Sequence, residues 1–459
     1  MSSANPPSLT ITAVSAPADD GSLVRVRQLR TLHAPKAGRW PVAVLSKQPV
    51  EIGRLGQVSG PLGLDDREVS RLHAVVEPQA DGSWRVVDRK SRNGTYVNGV
   101  RVEAAPLVHG TIVRVGKTIL IYLDQEVGED HGTLPETPRL FGRSEPMRRL
   151  RSDIAMVAAK SIPVLILGET GVGKELVAEE IHRQSGRPGQ FIAVNCAALP
   201  EALAESELFG HVAGAFSGAV KKNDGLFVAA NGGTLFLDEI GECPPPIQAK
   251  LLRALAKGEV RAVGAADVSI VDVRIIAATN RDLSAEIADD AFRADLFSRL
   301  SGWTQRIPPL RDRKDDILPL AAMFLARVAP GVSISTNAAE ALLLYHWPFN
   351  VRELEQIMGA AGVRAASVGR VRCEHLPEPI AAVLGARGLQ REPASTAHQP
   401  APVLAVARDA VPGRDELLAV ISYFGGNVAQ VAEYFNKDRK QIYRWAEKYQ
   451  IDVAAFRRD

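Results

Sequence analysis

Seven residues, Gly168-Glu169-Thr170-Gly171-Val172-Gly173-Lys174, constrain this chain more than any others. They follow an apolar stretch, Pro163–Leu167, that reads as a strand, and they open a helical stretch. A glycine-rich loop in that context is a phosphate loop. Its glycines let backbone N–H groups curl around phosphates, while the helix N-terminus and Lys174 add positive potential. Further apolar strands at Phe191–Val194, Leu235–Leu237 and Val273–Ala277 alternate with helical stretches, the pattern of a wound parallel α/β sheet. From Asp315 onward the reading is helical only. Glu175 stands where a Ser or Thr hydroxyl would normally reach magnesium. Thr234-Leu235-Phe236-Leu237-Asp238-Glu239 is an apolar strand ending in two acids, of which Asp238 can hold the magnesium and Glu239 can polarise an attacking water.

At 459 residues the chain is too long for one ordinary domain, and three are expected. Residues 1–21, rich in Ser, Ala, Pro and Asp, read as a loose tail. Over residues 22–124 short alternating strands at Leu23–Arg27, Val42–Leu45, Ala74–Pro78, Trp84–Asp88, Thr111–Val115 and Thr118–Leu123 are separated by Asp81-Gly82, Asn93-Gly94 and Asn98-Gly99, which predicts an all-β sandwich. A linker at 125–139 leads to the α/β segment, 140–380, and an Ala/Pro/Arg-rich linker at 381–413 leads to a compact helical end, 414–459. A net charge of +2 confines any nucleic-acid contact to a local patch. Cys196, Cys243 and Cys373 have no metal spacing and read as buried, reduced thiols. The amino terminus lacks the basic-then-apolar order of a signal peptide, and no apolar run reaches the ~20 residues of a membrane span, so a cytoplasmic protein is expected.

Several further motifs accompany the phosphate loop: Glu205-Ser206-Glu207-Leu208-Phe209-Gly210-His211, Gly214-Ala215-Phe216-Ser217-Gly218-Ala219, Ala277-Ala278-Thr279-Asn280, Phe292-Arg293-Ala294-Asp295-Leu296 and Pro308-Pro309-Leu310-Arg311. With them, residues 140–380 resemble the AAA+ domain of bacterial enhancer-binding proteins, which activate RNA polymerase carrying sigma-54. The resemblance implies an ATPase with Mg2+, assembled as a ring, as a hexamer in the expected case. It makes Gly168 to Glu175, Thr279, Asn280 and Arg352 the ATP-binding set, with Lys174, Asp238 and Glu239 catalytic and Asn195 restraining Glu239. Arg293 and Arg299 become arginine fingers toward the next subunit, a role that can be worth ~10³–10⁵ in rate. Gly214 to Ala219 becomes the sigma-54 contact, moving with a hairpin around Ala262–Ser269; Gly and Ala permit the motion and Phe216 supplies apolar surface. Ser217 replaces the family's usual threonine, and Phe349 replaces the glycine usual after Trp347-Pro348. Asn350 and Glu353 have capping-box spacing, which predicts a helix start there.

In the amino-terminal sandwich Gly53-Arg54, Ser70-Arg71-Leu72-His73 and Ser91-Arg92-Asn93-Gly94-Thr95 bring guanidinium, hydroxyl and amide groups to loops, a chemistry suited to a phosphate ester on a peptide. The set resembles a forkhead-associated (FHA) domain, which binds phosphothreonine. Carried over, Arg54 and Ser70 hold the phosphate, Arg71 and Arg92 flank it, Asn93 holds the peptide backbone and His73 braces the loops. At the other end, Val428–Tyr434, a turn and Arg439–Tyr449 resemble a Fis-type helix-turn-helix, with Arg439, Lys440, Gln441, Tyr443 and Arg444 facing DNA and Ile442 and Trp445 packing inward. The expected whole is an ATP-dependent activator of sigma-54 RNA polymerase that binds upstream DNA. Its input would be phosphothreonine on a partner or on its own chain, written by a Ser/Thr kinase. The competing readings are a DNA-binding regulator of ordinary promoters and a phosphopeptide-binding scaffold with an idle ATPase.

Overall fold

The computed structural model describes residues 24–36, 40–127, 140–216 and 219–388, and near the carboxy terminus 414, 417, 421, 428, 431, 432, 435, 437–449 and 451. The expected tail, most of both linkers, Ser217, Gly218 and most of the first helix-turn-helix helix lie outside the described residues. The chain divides into two units, one up to Arg391 and one from Glu392.

The first unit begins with eleven strands: β1 (Val24–His33), β2 (Val42–Val44), β3 (Val50–Arg54), β4 (Leu62–Leu64), β5 (Leu72–Pro78), β6 (Trp84–Asp88), β7 (Thr95–Val97), β8 (Val100–Val102), β9 (Ala104–Leu107), β10 (Thr111–Val115) and β11 (Thr118–Val127). They form two sheets, ordered β2-β1-β11-β10-β7-β8 and β4-β3-β5-β6-β9. Leu29, Ile52, Val76, Trp84, Val86, Val113, Leu120 and Tyr122 fill the space between them. Asn98-Gly99 is the hairpin turn between β7 and β8, both residues having positive φ, as a type I′ turn requires. Asn93-Gly94 instead ends a loop that leads into β7. The periodicity reading missed β3, β4 and β7 to β9, which are three to five residues long, too short for alternation to register.

The α/β segment runs α1 (Glu145–Ala158), β12 (Val164–Leu167), α2 (Lys174–Ser185), β13 (Phe191–Asn195), α3 (Glu201–Phe209), α4 (Leu226–Ala229), β14 (Thr234–Asp238), α5 (Pro245–Lys257), β15 (Glu259–Val260), β16 (Ser269–Ile270), β17 (Arg274–Thr279), α6 (Leu283–Ala288), α7 (Ala294–Leu300) and β18 (Trp303–Arg306). Its central sheet is parallel, in the order β13-β14-β17-β12-β18. Central strands such as β17 are buried along their whole length, because helices cover both faces. The carboxyl ends of β12, β14 and β17 therefore meet at one edge, where α/β sheets bind ligands.

A lid follows: α8 (Ile317–Val328), β19 (Ser333–Ile334), α9 (Thr336–Leu344), α10 (Asn350–Ala365), β20 (Arg370–Val371) and α11 (Glu378–Gly388). It is not wholly helical, since β19 and β20 pair in parallel. Thr118 to Leu123 of β11 are buried on both sheet faces. Leu120 and Tyr122 point into the sandwich, whereas Ile119, Ile121 and Leu123, with Leu32 and Ile112, join one apolar cluster with the lid's Leu310, Ile317, Leu342 and Trp347. In the second unit Asp438 caps α12 (Arg439–Lys448), its side chain accepting the Gln441 N–H, and Ile442 and Trp445 pack with Val428, Val431 and Phe435. Among the described residues no helix is long and apolar enough to cross a membrane.

Candidate functional site

The phosphate loop joins β12 to α2, and its geometry demands glycine. Gly171 has φ +78°, and a Cβ there would overlap the carbonyl oxygen of Phe349; Gly173, at φ +102°, precedes the first turn of α2. The Lys174 amine is buried, 3.2 Å from the Gly168 carbonyl and 3.1 Å from Glu239 Oε1. Glu239 takes a left-handed conformation, φ +51°, at the exit of β14. That turn aims its carboxylate at Lys174 on one side and at the Asn280 N–H, 3.3 Å away, on the other. Asp238 accepts the Glu239 N–H, and its carboxyl is pushed up by burial and then by the neighbouring Glu239 charge, against the pull of Lys174 and Arg352. Two acids at one strand end, one of them held above its ordinary range, suit a divalent cation bound at Asp238. Asn280 Nδ2 donates to Thr170 Oγ1 at 3.0 Å, and Thr279 Oγ1 accepts the Arg281 N–H. Lys174, Asp238, Glu239, Thr170, Thr279 and Asn280 thus converge on one edge of the sheet.

Asn195 is the register partner of Asp238 on the neighbouring β13, but its side chain accepts the Ala197 N–H, while Glu239 is held by Lys174 and Asn280. Arg293 and Arg299 lie at the start and last turn of α7, both exposed, with the Arg293 guanidinium bidentate on Asp295 at 3.0 and 2.8 Å. Arg352 lies on the first turn of α10, its N–H 3.3 Å from the Gly171 carbonyl. The helix starts where capping-box spacing put it, but with a different cap. Phe349 is the N-cap, its N–H donating to Glu353 Oε2, and Asn350 is fully buried with φ +52°. The Asn350 amide bridges lid and loop instead, accepting the Leu310 N–H and donating to Glu169 Oε2 and the Thr170 carbonyl. Arg311 adds a bidentate pair to Glu169, holding that carboxyl below its ordinary range. The sequence gives no local signal for these two lid contacts, which depend on a turn closing across the fold.

Gly214 to Phe216 and Ala219 emerge from a loop whose base is paired to a hairpin. The Gly214 N–H donates to the Ala219 carbonyl, the Val212 N–H to the Val263 carbonyl, and the Val263 N–H to the Gly210 carbonyl. The Phe216 ring lies edge-on to His211 at 5.0 Å and is 39% exposed; Val220 beside it is 84% exposed. Residue 263 belongs to the hairpin closed by β15 and β16, and the chain passes from β16 directly into β17.

Arg54, Ser70, Arg92 and Asn93 gather at one end of the sandwich. The Arg54 guanidinium donates to the Val69 and Arg67 carbonyls, Ser70 Oγ accepts the Arg92 N–H at 3.2 Å, and Asn93 Nδ2 donates to the Glu68 carbonyl at 2.7 Å. Arg71 is exposed on the same loop. His73 is fully buried: its Nδ1 accepts the Ser70 N–H, so its Nε2–H donates to the Gly94 carbonyl and ties two of the loops together. On α12, Arg439, Lys440, Tyr443 and Arg444 are exposed and Gln441 half-buried, opposite Ile442 and Trp445.

Residues 140–305 match the sigma-54 interaction domain, residues 50–116 the FHA domain and residues 311–389 the AAA+ ATPase lid domain. The chain is 41% identical over 411 residues to the nitric oxide reductase transcription regulator NorR2 of Cupriavidus necator, covering 86% of this chain and 76% of that protein. It is 50% identical over 279 residues to NorR1 of the same organism and 42% identical over 335 residues to the regulatory protein LuxO of Vibrio cholerae. These matches cover 60% and 70% of this chain, and only 54% and 63% of the two relatives. Among solved structures, NtrX from Brucella abortus in complex with ATP superposes with a TM-score of 0.49 at 31% identity, over 69% of this chain and 70% of that one.

Proposed function

The chain belongs to the sigma-54-dependent transcriptional activators, and we propose that it remodels the closed promoter complex of sigma-54 RNA polymerase by hydrolysing ATP, under the control of phosphothreonine capture by its FHA domain. One observation carries the reading. The exposed Phe216 loop is hydrogen-bonded to the hairpin at 259–270, and that hairpin runs straight into β17, whose end holds Thr279 and Asn280 beside Glu239. A change at the γ-phosphate position is therefore one strand away from the polymerase-facing loop.

In this reading the backbone of Gly168 to Gly173 and Lys174 hold the ATP phosphates, with Glu175 continuing the helix. Asp238 would hold Mg2+, which would supply charge neutralisation. Glu239 accepts the proton of the attacking water. Thr279 and Asn280 read the γ-phosphate and Arg352 senses it from the lid. The exposed Arg293 and Arg299 are available to a neighbouring subunit in a ring, with six subunits expected, and Asn195 stands one strand away to restrain Glu239. Arg439, Lys440, Gln441, Tyr443 and Arg444 form a basic, aromatic helix face that supports DNA docking, and Arg54, Ser70, Arg71, Arg92 and Asn93 form the phosphopeptide loops.

The deciding experiment is open-complex formation by sigma-54 polymerase on a promoter with an upstream site, with the full chain and ATP. Phe216→Ala should retain ATPase activity and lose promoter opening. Equal opening by Phe216→Ala and the parent chain would sink the sigma-54 assignment.

A further inference from the structure

The seven residues 310–316 touch three other parts of the molecule. Arg311 holds Glu169 of the phosphate loop and Arg313 reaches the Val172 carbonyl. The Lys314 amine donates to the Gly110 carbonyl of the FHA domain at 3.0 Å, and Asp315 accepts from FHA residue Arg30 at 3.2 Å in a largely buried pair. Asp316 accepts the N–H groups of Arg143 and Ser144 and the Ser144 hydroxyl, fixing the start of α1.

A second line of contacts begins at the phosphopeptide loops. Asn93 donates to the Glu68 carbonyl; the buried Asp66 carboxylate accepts the N–H groups of Glu68 and Lys117 and the Thr118 hydroxyl; the Thr336 hydroxyl at the start of α9 lies 3.3 Å from the Lys117 carbonyl. Beyond α9 the chain turns at Trp347 and returns to Gly171 through Val351 and Arg352. Between the two lines lies the apolar cluster shared by Leu32, Ile112, Ile119, Ile121 and Leu123 with the lid, and the buried pair of Arg114 with Glu340 at 2.6 Å. A sandwich with one outer face committed to the lid cannot move as a tethered bead.

We infer that the FHA domain and the lid behave as one body, so that occupancy of the phosphopeptide loops and occupancy of the phosphate loop are energetically coupled through residues 310–316 and the Asp66–Lys117–Thr336 junction. The inference rests on the phosphopeptide reading of the Arg54–Asn93 loops. A peptide that takes the Asn93 amide removes it from Glu68 and loosens the loop that Asp66 anchors beside α9. A nucleotide that reorders Glu169 acts on Arg311 and, four residues on, on the Arg30 contact. Coupling of this kind is reciprocal: each ligand changes the other's affinity by the same factor.

The test uses the full chain, a phosphothreonine peptide drawn from a degenerate library together with its unphosphorylated twin, and a non-hydrolysable ATP analogue. Calorimetry should show the analogue changing the peptide Kd by about five-fold or more, and the peptide changing the analogue Kd by the same factor. Arg30→Ala should bring both factors close to one while each ligand alone still binds, and Lys314→Ala, which leaves no buried carboxylate unpaired, should reduce them. Binding of both ligands with a factor of one in the parent chain overturns the inference and leaves the phosphopeptide reading standing. If the parent chain binds no phosphopeptide, that reading fails, and amide exchange then decides whether the two domains are coupled. Protection of residues 118–123 that shifts with the analogue in the parent chain but not in Lys314→Ala supports one body; identical exchange with and without analogue overturns it.

Discussion

Single side chains at the nucleotide site divide the chemistry cleanly. Glu239 is held in a strained left-handed turn, and only that turn lets one carboxylate face both Lys174 and the end of β17. Glu239→Gln should therefore bind ATP and lose about 10²–10⁴-fold in turnover, checked by parallel binding and phosphate-release assays. At the other end of the unit, His73 shows how burial sets a pH response. Desolvation lowers its pKa below the ordinary value of about 6.5, and the Ser70 N–H needs its unprotonated Nδ1. A group depressed in the fold contributes stability that is present above 6.5 and lost as pH falls through the folded value. Denaturant unfolding of the full chain from pH 7.5 to 5 should show that loss, and His73→Gln should flatten it; equal slopes would remove His73 from the account. That Lys174, Asp238 and Glu239 lie together was legible in the sequence, because a glycine–lysine run after one apolar strand and two acids ending another both mark the carboxyl edge of a parallel sheet. The left-handed turn at Glu239 was not legible, since a non-glycine residue with positive φ is imposed by its surroundings.

At the scale of elements, the lid meets the phosphate loop backbone to backbone. The Val351 N–H donates to the Gly171 carbonyl at 3.0 Å, and Trp347 and Asn350 both adopt positive φ to make the turn. Phe349, in place of the family's glycine, is 59% exposed with φ −109°, so its ring points away while its neighbours carry the unusual backbone. Gly171→Ala adds a methyl against the Phe349 carbonyl and forces a side chain into the left-handed region, at a cost of about 1–3 kcal/mol or more. Weaker nucleotide binding and a lower unfolding midpoint are the expected results; parent-like values of both would show that lid and loop separate freely. The sequence pattern gave four of the five central strands to within a residue or two, because most of them are continuous apolar runs, and missed the edge strand β18, whose Trp-Thr-Gln-Arg sequence is polar and partly exposed. It did not give β19 and β20, two residues each, which no periodicity can register.

For the whole molecule the decisive feature is a sandwich sheet with two apolar faces. The unbroken apolar run Ile119–Leu123 marks a strand buried on both sides, yet the pattern cannot say what covers the second side, and here the cover is a lid about two hundred residues downstream. Burial of Leu32, Ile112, Ile119, Ile121 and Leu123 is worth about 8–15 kcal/mol as an upper bound. A fragment of residues 22–127 should consequently self-associate, and Ile119→Thr with Ile121→Thr should render it monomeric by sedimentation; a monomeric unsubstituted fragment would contradict the buried face. Tryptophan placement gives the molecule an optical consequence. Trp84 lies in the sandwich core, Trp303 on the parallel sheet and Trp445 in the carboxy-terminal cluster, while Trp347 is the lid's one indole. It is fully buried, edge-on to Tyr345 at 5.1 Å, donates its indole N–H to the Leu342 carbonyl and sits two residues before the carbonyl that touches Gly171. With the other four tryptophans changed to phenylalanine, emission from Trp347 would be blue-shifted while the shared apolar cluster is intact and would move red as water reached the indole, so that the protein's own fluorescence reports on the seam between lid and sandwich.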